Sequence, residues 1–549
     1  MRSNSRSKHR SHLDEIASLT LGIDDLSEAQ EEAIESILEG RDTLAIMPTG
    51  AGKSAIYQIA GHLLEGPTVV FSPLLALQRD QAGKLERTDT GSPALLNSTV
   101  SLTARVEALE AAARGEVEFL FLAPEQLANE DVAERLIETK PSLLVVDEAH
   151  CISSWGHDFR PDYLALGELV EQLGHPVVLA LTATASTPVQ EEITERLAMR
   201  NARIVTQNLD RPNIHLEVRR FDDARRKQNE QIEAVAAEQK PGIVYAATRA
   251  NAETLAEALQ EAGVNAVYYH AGLPSRPRNE VQTRFMEGDV DVVVATKAFG
   301  MGIDKSNVRF VFHSDVSDSL DSYAQEIGRA GRDGQPAKAV LFYLPADLGI
   351  QRFFAAGQLS DADISAVLRA FSTVSEGLSR AEIAEKSGLG PRKVLRVLNG
   401  LVDAGMLRRS KKGTYRPLRW RSPQAGLEAV ESLQEQWQRV NESRVEMMRG
   451  YAEEDGCRRS LLLAYFGEKA GPCGNCDNCE RGGEAVAEGA EAPADVTVRH
   501  SLWGLGRVLR QESDRAVIFF QTVGYKTLDL TVALERGLLS REPGAAGII

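Results

Sequence analysis

Cysteine is scarce in this chain, with five in 549 residues, and four of the five fall between Cys457 and Cys479. Disulfides spread along the chain are therefore excluded, and so dense a cluster without a secretion signal points to a metal site. Long apolar runs are also missing: no stretch approaches the roughly 20 residues that a membrane-spanning helix needs, so no membrane partner is expected. The basic, acid-free residues 2–12 are not followed by the apolar segment of a signal peptide, and they read as a solvated tail. Positive charge is lacking in sum, the formal net charge being -17. That excludes a uniformly basic nucleic-acid coat but not local phosphate-binding patches, so it leaves the partner undecided.

What is present is an ordinary globular balance, 43% apolar and 26% charged. At roughly 150 residues per domain the length implies about three to four domains. From residue 42 onward, short apolar runs at 43–47, 68–71, 119–122, 143–146 and 177–181 alternate with longer amphipathic stretches. The pattern restarts after Phe221, with candidate strands at 243–245, 266–269, 290–295, 308–312 and 339–344. Buried parallel strands with crossover helices read this way, so the fold class is α/β with two tandem lobes. After Pro345 the strands give way to helices, at 361–372, 379–387 and 391–404, with Ser379 as N-cap, Pro391 in a first turn and a wing at 406–417. Residues 482–495, rich in Ala, Glu and Gly, read as an acidic linker, and 496–539 as a separate small β module.

The first strand runs into Pro48, Thr49, Gly50, Ala51, Gly52, Lys53 and Ser54. Such a loop aims backbone N–H groups at phosphates, with Lys53 as a movable cation and Ser54 as a magnesium-coordinating hydroxyl. Met47 stands where the generic pattern has glycine, and alone the loop also reads as a plain glycine turn before a helix. Asp147, Glu148, Ala149 and His150, at the end of the apolar run 143–146, decide the matter. Asp147 suits the magnesium shell and Glu148 suits the attacking water, so the pair implies nucleoside triphosphate hydrolysis. Arg329 and Arg332 of the second lobe are candidate arginine fingers, worth roughly 10³ to 10⁵ in rate.

The order of these motifs resembles a superfamily 2 helicase, and its details resemble the RecQ family across roughly residues 20–345. The stretch DEAHCISSWGHDFRPDY at 147–163 carries most of the resemblance. Beside it stand MPTGAGKS at 47–54, SPLLALQRDQ at 72–81, TATA at 182–185, YYHAGL at 268–273, ATKAFGMGIDKSNVRFVFH at 295–313 and YAQEIGRAGRDG at 323–334. The resemblance implies RecA-like lobes at 21–215 and 216–345 behind a tail at 1–20. It also implies ATP and Mg²⁺ as cofactors, single-stranded and duplex or forked DNA as partner, 3′ to 5′ unwinding in recombination, repair or replication-fork processing, and a cytoplasmic, nucleoid-associated location. It makes the loop with Trp155, His157, Phe159 and Arg160 the element that couples strand binding to hydrolysis. Trp155 and Phe159 suit base stacking at roughly 1 to 3 kcal/mol per base. Gln30 fits an adenine-reading glutamine. Ser27 stands where the family usually has arginine, so ATP is expected to be preferred only loosely.

Cys457 with the C-x2-C-x2-C run Cys473, Cys476 and Cys479 offers four thiolates for a structural zinc within a helical module at 422–481. The family shares this arrangement; an iron–sulfur cluster is the chemical rival. The winged-helix region, 360–420, carries ten cations between 391 and 421 against Asp403 alone. Arg392, Lys393, Arg396, Lys411 and Lys412 are thus candidate duplex contacts. Tyr415 suits either an end base pair or the core. Here the winged helix precedes the zinc module, whereas in the family it follows. The start of the β module at 496–549, HSLWGLGRV, resembles the Tudor-like module of UvrD-type helicases. That implies RNA polymerase as a protein partner, with a nonspecific barrel or a DNA-binding module as alternatives. An RNA helicase, a translocase that does not unwind and an ATP-switched DNA-binding regulator remain rival readings.

Overall fold

The computed structural model describes residues 13–541 apart from 15, 19–20, 24, 74, 89–90, 98–99, 129, 154–159, 301–304, 356–358, 372–376, 411–413, 419–422, 469, 483–495 and 513–514. The chain forms two compact units, Met1–Leu348 with Met447–Ala492, and Gly349–Glu446 with Pro493–Ile549.

The first unit holds two parallel sheets. One contains β1 (Thr43–Ile46), β2 (Thr68–Phe71), β3 (Pro93–Leu96), β4 (Phe119–Leu122), β5 (Leu143–Val146), β6 (Val177–Thr182) and β7 (Arg203–Thr206) in the order β3-β4-β2-β5-β6-β1-β7. The other contains β8 (Ile214–Arg220), β9 (Gly242–Tyr245), β10 (Ala266–Tyr269), β11 (Val292–Ala295), β12 (Phe310–His313) and β13 (Ala337–Tyr343) in the order β10-β11-β9-β12-β13-β8. The central strands β1, β2, β4, β5, β9, β11 and β12 are buried at every position, as continuous Val, Leu, Ile and Phe runs require between two helical layers.

Three strands did not stand out in the sequence, and all three are at sheet edges. In β7 only Val205 is buried, β3 is mostly half-buried, and β8 alternates buried and half-buried residues before the restart at Phe221. An edge strand needs apolar residues on one face only, so it lacks the continuous run that marks a central one.

In the second unit the helices Asp361–Phe371, Arg380–Ser387 and Pro391–Asp403 pack with the antiparallel pair β14 (Leu407–Arg409) and β15 (Tyr415–Pro417) around Ile364, Leu368, Ile383, Val394, Leu398 and Leu401. Ser379 caps its helix with a reciprocal Ser379–Glu382 capping box. Tyr415 is buried in this core, 4% exposed, and is not available to stack on an end base pair. A helix Pro423–Glu453 follows. The curled antiparallel sheet β19-β18-β17-β16-β20 is built from β16 (Thr497–His500), β17 (Gly504–Glu512), β18 (Arg515–Phe520), β19 (Gly524–Asp529) and β20 (Leu539–Arg541). Gly506 lets Phe520 close the barrel core, since a Cβ there would stand 2.3 Å from the ring. No helix among the described residues is long and apolar enough to cross a membrane.

Candidate nucleotide and zinc sites

The nucleotide-site residues gather at the C-terminal ends of β1, β5 and β6, where open parallel sheets place their ligands. Met47 ends the first of these strands, fully buried, with its N–H donated to Thr182 O at 3.0 Å; core packing accounts for methionine in place of glycine. The loop then turns through Gly50 (φ +87°) and Gly52 (φ +72°), conformations that side chains disfavour. Gly52 precedes the helix Lys53–Leu63 without any side-chain cap, so the helix N-terminus presents its amides and dipole to an anion, with Thr49, Ala51 and Ser54 around it. Lys53 Nζ donates to Met47 O at 3.0 Å and Pro48 O at 3.4 Å.

Gln30 is bound to this loop. Its amide nitrogen donates to Ala51 O at 3.2 Å and Gly52 O at 3.1 Å, and its oxygen accepts the Ser27 N–H at 2.8 Å. Ser27 itself caps the helix Glu28–Leu38 through a capping box with Gln30. Serine at this position therefore serves the helix, and the glutamine amide holds the phosphate loop.

Asp147 accepts the Glu148 N–H at 2.9 Å and the Ser72 hydroxyl at 3.3 Å. Burial, then the neighbouring Glu148 charge, push its carboxyl up to about 7, against the opposing pull of Lys53. Burial conversely lowers the Lys53 ammonium. Each group is thus held toward its neutral form, the state a divalent cation and a polyphosphate would reverse. Glu148 sits in the left-handed region (φ +49°, ψ 47°), strain of about 1–3 kcal/mol of the kind stored at functional sites. Its buried Oε2 lacks a hydrogen bond among the described residues and lies 3.4 Å from His150 Nδ1. That imidazole, 1% exposed, meets the Thr182 hydroxyl at 3.0 Å and so holds the carboxylate's flank. Ser72, Thr182 and Tyr163, whose hydroxyl donates to Asp147 O at 3.1 Å, were not singled out from sequence. Their only signal was membership of the SPLLALQRDQ, TATA and DEAH stretches.

From the second lobe, Arg332 reaches the loop: its Cδ would stand 3.4 Å from a Cβ on Gly50. Arg329 is buried, 4% exposed, beside Gly300 and the Tyr245 hydroxyl. Arg160 lies against the strand ends beside the nucleotide loop. Its N–H donates to Cys151 O at 2.8 Å and its Nη1 to Pro73 O at 3.3 Å. Trp155, His157 and Phe159 lie outside the described residues, as do Lys411 and Lys412. Arg392 occupies the second position of the helix Pro391–Asp403. On the same helix Lys393 pairs with Asp363 at 3.0 Å, and Arg396 is exposed.

The sulfur atoms of Cys457, Cys473, Cys476 and Cys479 all lie within 4.8 Å of one another. Backbone N–H groups of Cys473, Asn475 and Cys479 point at the sulfurs of Cys457, Cys473 and Cys476 at 3.3, 3.3 and 3.4 Å. Thiolates about 2.3 Å from one tetrahedral ion stand about 3.8 Å apart, so the four fit zinc, and these amides would offset the sulfur charge. Beside the cluster, fully buried Arg458 pairs with Asp477 at 3.1 Å. Sequence reasoning missed this pair, although each residue directly follows a ligand cysteine.

Family models match along the chain: DEAD/DEAH box helicase at 27–193, helicase conserved C-terminal domain at 226–334, IclR helix-turn-helix domain at 365–411 and RecQ zinc-binding at 423–480. Curated relatives include the probable ATP-dependent DNA helicase RecS of Bacillus subtilis, 36% identical over 469 residues, with 83% of this chain and 90% of that protein covered. The ATP-dependent DNA helicase RecQ of Synechocystis is 33% identical, with 86% and 98% covered. RecQ of Haemophilus influenzae is 35% identical, with 83% of this chain but only 62% of that protein covered. Among solved structures, the DUF1998 helicase MrfA bound to DNA matches in fold, with a TM-score of 0.53, 18% identity and coverage of 75% of this chain and 63% of that one. With two helicase lobes, a four-cysteine zinc module and two of these relatives covered over 90% and 98% of their length, the chain belongs to the RecQ family of superfamily 2 helicases.

Proposed function

We propose that the protein is an ATP-dependent DNA helicase that moves 3′ to 5′. The observation that carries the reading is Arg332 of one lobe standing over Gly50 of the other. A hydrolysis site completed by both lobes ties each turnover to their relative position. Lys53 and the amides from Thr49 to Ser54 hold the phosphates, and Gln30, expected from sequence to read the adenine, instead steadies that loop with its amide. Ser54 and Asp147 hold Mg²⁺, which supplies charge neutralisation at the phosphates. Glu148, steadied by His150, orients and deprotonates the attacking water, while Arg329 and Arg332 offset charge on the transferring group.

The loop with Trp155, His157, Phe159 and Arg160 reports strand occupancy, directly after the Asp147–His150 segment. Arg392, Lys393, Arg396, Lys411 and Lys412 meet duplex phosphates. The zinc thiolates are Cys457, Cys473, Cys476 and Cys479. Domain limits follow the motifs except between the lobes, which the sequence divides at 215/216: β8 pairs in the second sheet from Ile214, so the lobes are 21–206 and 214–345 joined by 207–213, with the winged helix at 360–420, zinc module at 422–481 and β module at 496–549. The protein acts on nucleoid DNA, and the β module recruits RNA polymerase.

Strand separation on forked, 3′-tailed and 5′-tailed duplexes, with and without ATP, tests the motor. ATP-dependent opening of 3′-tailed and forked substrates is expected. Opening of RNA duplexes alone, hydrolysis without unwinding, or full function in Lys53→Ala would each replace this reading with a rival one. Failure of the full chain to retain RNA polymerase in a pull-down would remove the partner.

A further inference from the structure

The two parallel sheets are joined by residues 207–213, between Thr206 and Ile214. Arg211, in this linker, points its guanidinium at the turn that carries the finger arginines. Nη1 donates to Gly328 O at 3.0 Å, and Nη2 donates to Ala330 O at 2.9 Å and Gly331 O at 2.8 Å. Asn213 adds donation to Gly331 O at 2.8 Å and Gln335 O at 2.9 Å. The fit requires glycine at 331. Its φ is +55°, and a Cβ there would stand 2.5 Å from Asn213 Nδ2. Carbonyls on both sides of Arg329, and the one just before Arg332, are thus bound by the segment that joins the lobes.

The linker is held in turn by the zinc module. Arg459 pairs with Asp210 at 2.9 Å and donates to Arg211 O and Ile214 O; Glu468 accepts the Leu209 N–H at 2.9 Å; Asn475 donates to Pro212 O at 2.9 Å. A cavity of about 60 Å³, lined in part by Thr49, Leu209, Gly328 and Leu463, separates the linker from the phosphate loop.

We infer that Arg211 is a positioning residue for ATP hydrolysis, setting the finger turn Gly328–Gly331 according to the conformation of the interlobe linker. Its guanidinium bonds the finger turn, and it acts through Arg329 and Arg332. The inference rests on the hydrolysis reading above. A displaced finger loses stabilisation at the transition state while ground-state binding persists, and a misplacement near 1 Å costs roughly 100-fold.

The test is single-strand-stimulated ATP hydrolysis by full-length Arg211→Ala, Arg211→Lys and Asn213→Ala, beside wild type, with zinc content and melting temperature measured for each. Arg211→Ala should lose roughly 10- to 100-fold in kcat, with KM for ATP and affinity for AMP-PNP within about threefold of wild type. Its affinity for ADP with aluminium fluoride, which mimics the transferring phosphoryl group, should fall in parallel with kcat. Arg211→Lys, which keeps the charge but not the fork, should be intermediate, and Asn213→Ala should shift the same way by less. If Arg211→Ala is unstable, the other two variants carry the test. Unchanged kcat in folded variants, or equal losses for both analogues, would overturn the inference. An inactive wild type would instead remove the hydrolysis reading beneath it.

Discussion

Arg332 and Gly50 belong to different lobes, yet the arginine's Cδ would stand 3.4 Å from a Cβ added to the glycine. The Lys53 ammonium beside them is lowered chiefly by burial, and the Arg332 charge adds to that shift. Two cations beside one glycine turn repel, and the repulsion is relieved most by the negative charge that develops on a transferring phosphoryl group.

Removing the second cation should therefore spare binding and cost chemistry. Arg332→Ala is expected to lower kcat roughly 10³-fold with little change in KM for ATP. Arg332→Lys should recover little, because an ammonium does not reproduce the planar fork. Steady-state ATP hydrolysis with saturating single strands checks this, and a pure KM effect would reassign the residue to ground-state binding.

Asp147 gives a pH signature. Its folded-state carboxyl titrates at about 7, raised first by burial and then by Glu148, against a usual value of 3.8. Between those values the folded protein binds a proton that the unfolded chain releases. The penalty for ionising Asp147 is absent below the unfolded value, grows as pH rises and is complete above about 7. Without nucleotide or Mg²⁺, Asp147→Asn should thus melt higher than wild type at pH 8, by less at pH 5, and converge with it only below about pH 4, while losing hydrolysis altogether. A melting-temperature difference independent of pH would contradict the assignment.

Gln30 carries a third expectation. Its amide hydrogens are both given to the phosphate loop, at 3.2 and 3.1 Å. Each such bond contributes roughly 1 kcal/mol and holds a loop that serves either nucleotide, so Gln30→Ala should raise KM for ATP and for GTP alike, by about 5- to 30-fold. Wild type should prefer ATP over GTP by less than about tenfold, since Ser27 contributes a helix cap and no guanidinium. A loss with ATP well beyond that with GTP would show that Gln30 also reads the base.

The central strands and the Lys53, Asp147–Glu148 and Cys473–Cys479 clusters were legible because each is local: a continuous apolar run, or functional residues a few positions apart. What the sequence concealed is what depends on distant pairing. Ser27 read as a missing arginine, whereas its hydroxyl closes a capping box with Gln30, whose amide grips a loop 21 residues away. Tyr415 read equally well as a base platform, and only the packing of three helices on the hairpin put it in the core. Arg211 carried no signal at all, because its partners lie 117 to 120 residues along the chain.

The pair beside the zinc thiolates makes the last prediction. Arg458 is fully buried, and its guanidinium meets Asp477 at 3.1 Å while also donating to Tyr451 O and Glu454 O. The pair links the helix after Cys457 to the turn after Cys476, so it closes the same loop that zinc closes. Removing Arg458 leaves the buried Asp477 carboxylate with only the exposed Arg481 as counter-charge, and Arg458→Met should cost up to about 3–5 kcal/mol. Arg458→Met combined with Asp477→Leu removes both charges and should recover part of that loss, because the desolvation penalty goes with them. Denaturation monitored beside chelator-driven zinc release reads both effects: the single variant should release zinc faster than wild type, and the double variant more slowly than the single. If the double variant is no more stable than the single one, the cost lies in the bonds to the Tyr451 and Glu454 carbonyls, and the buried carboxylate is not its source.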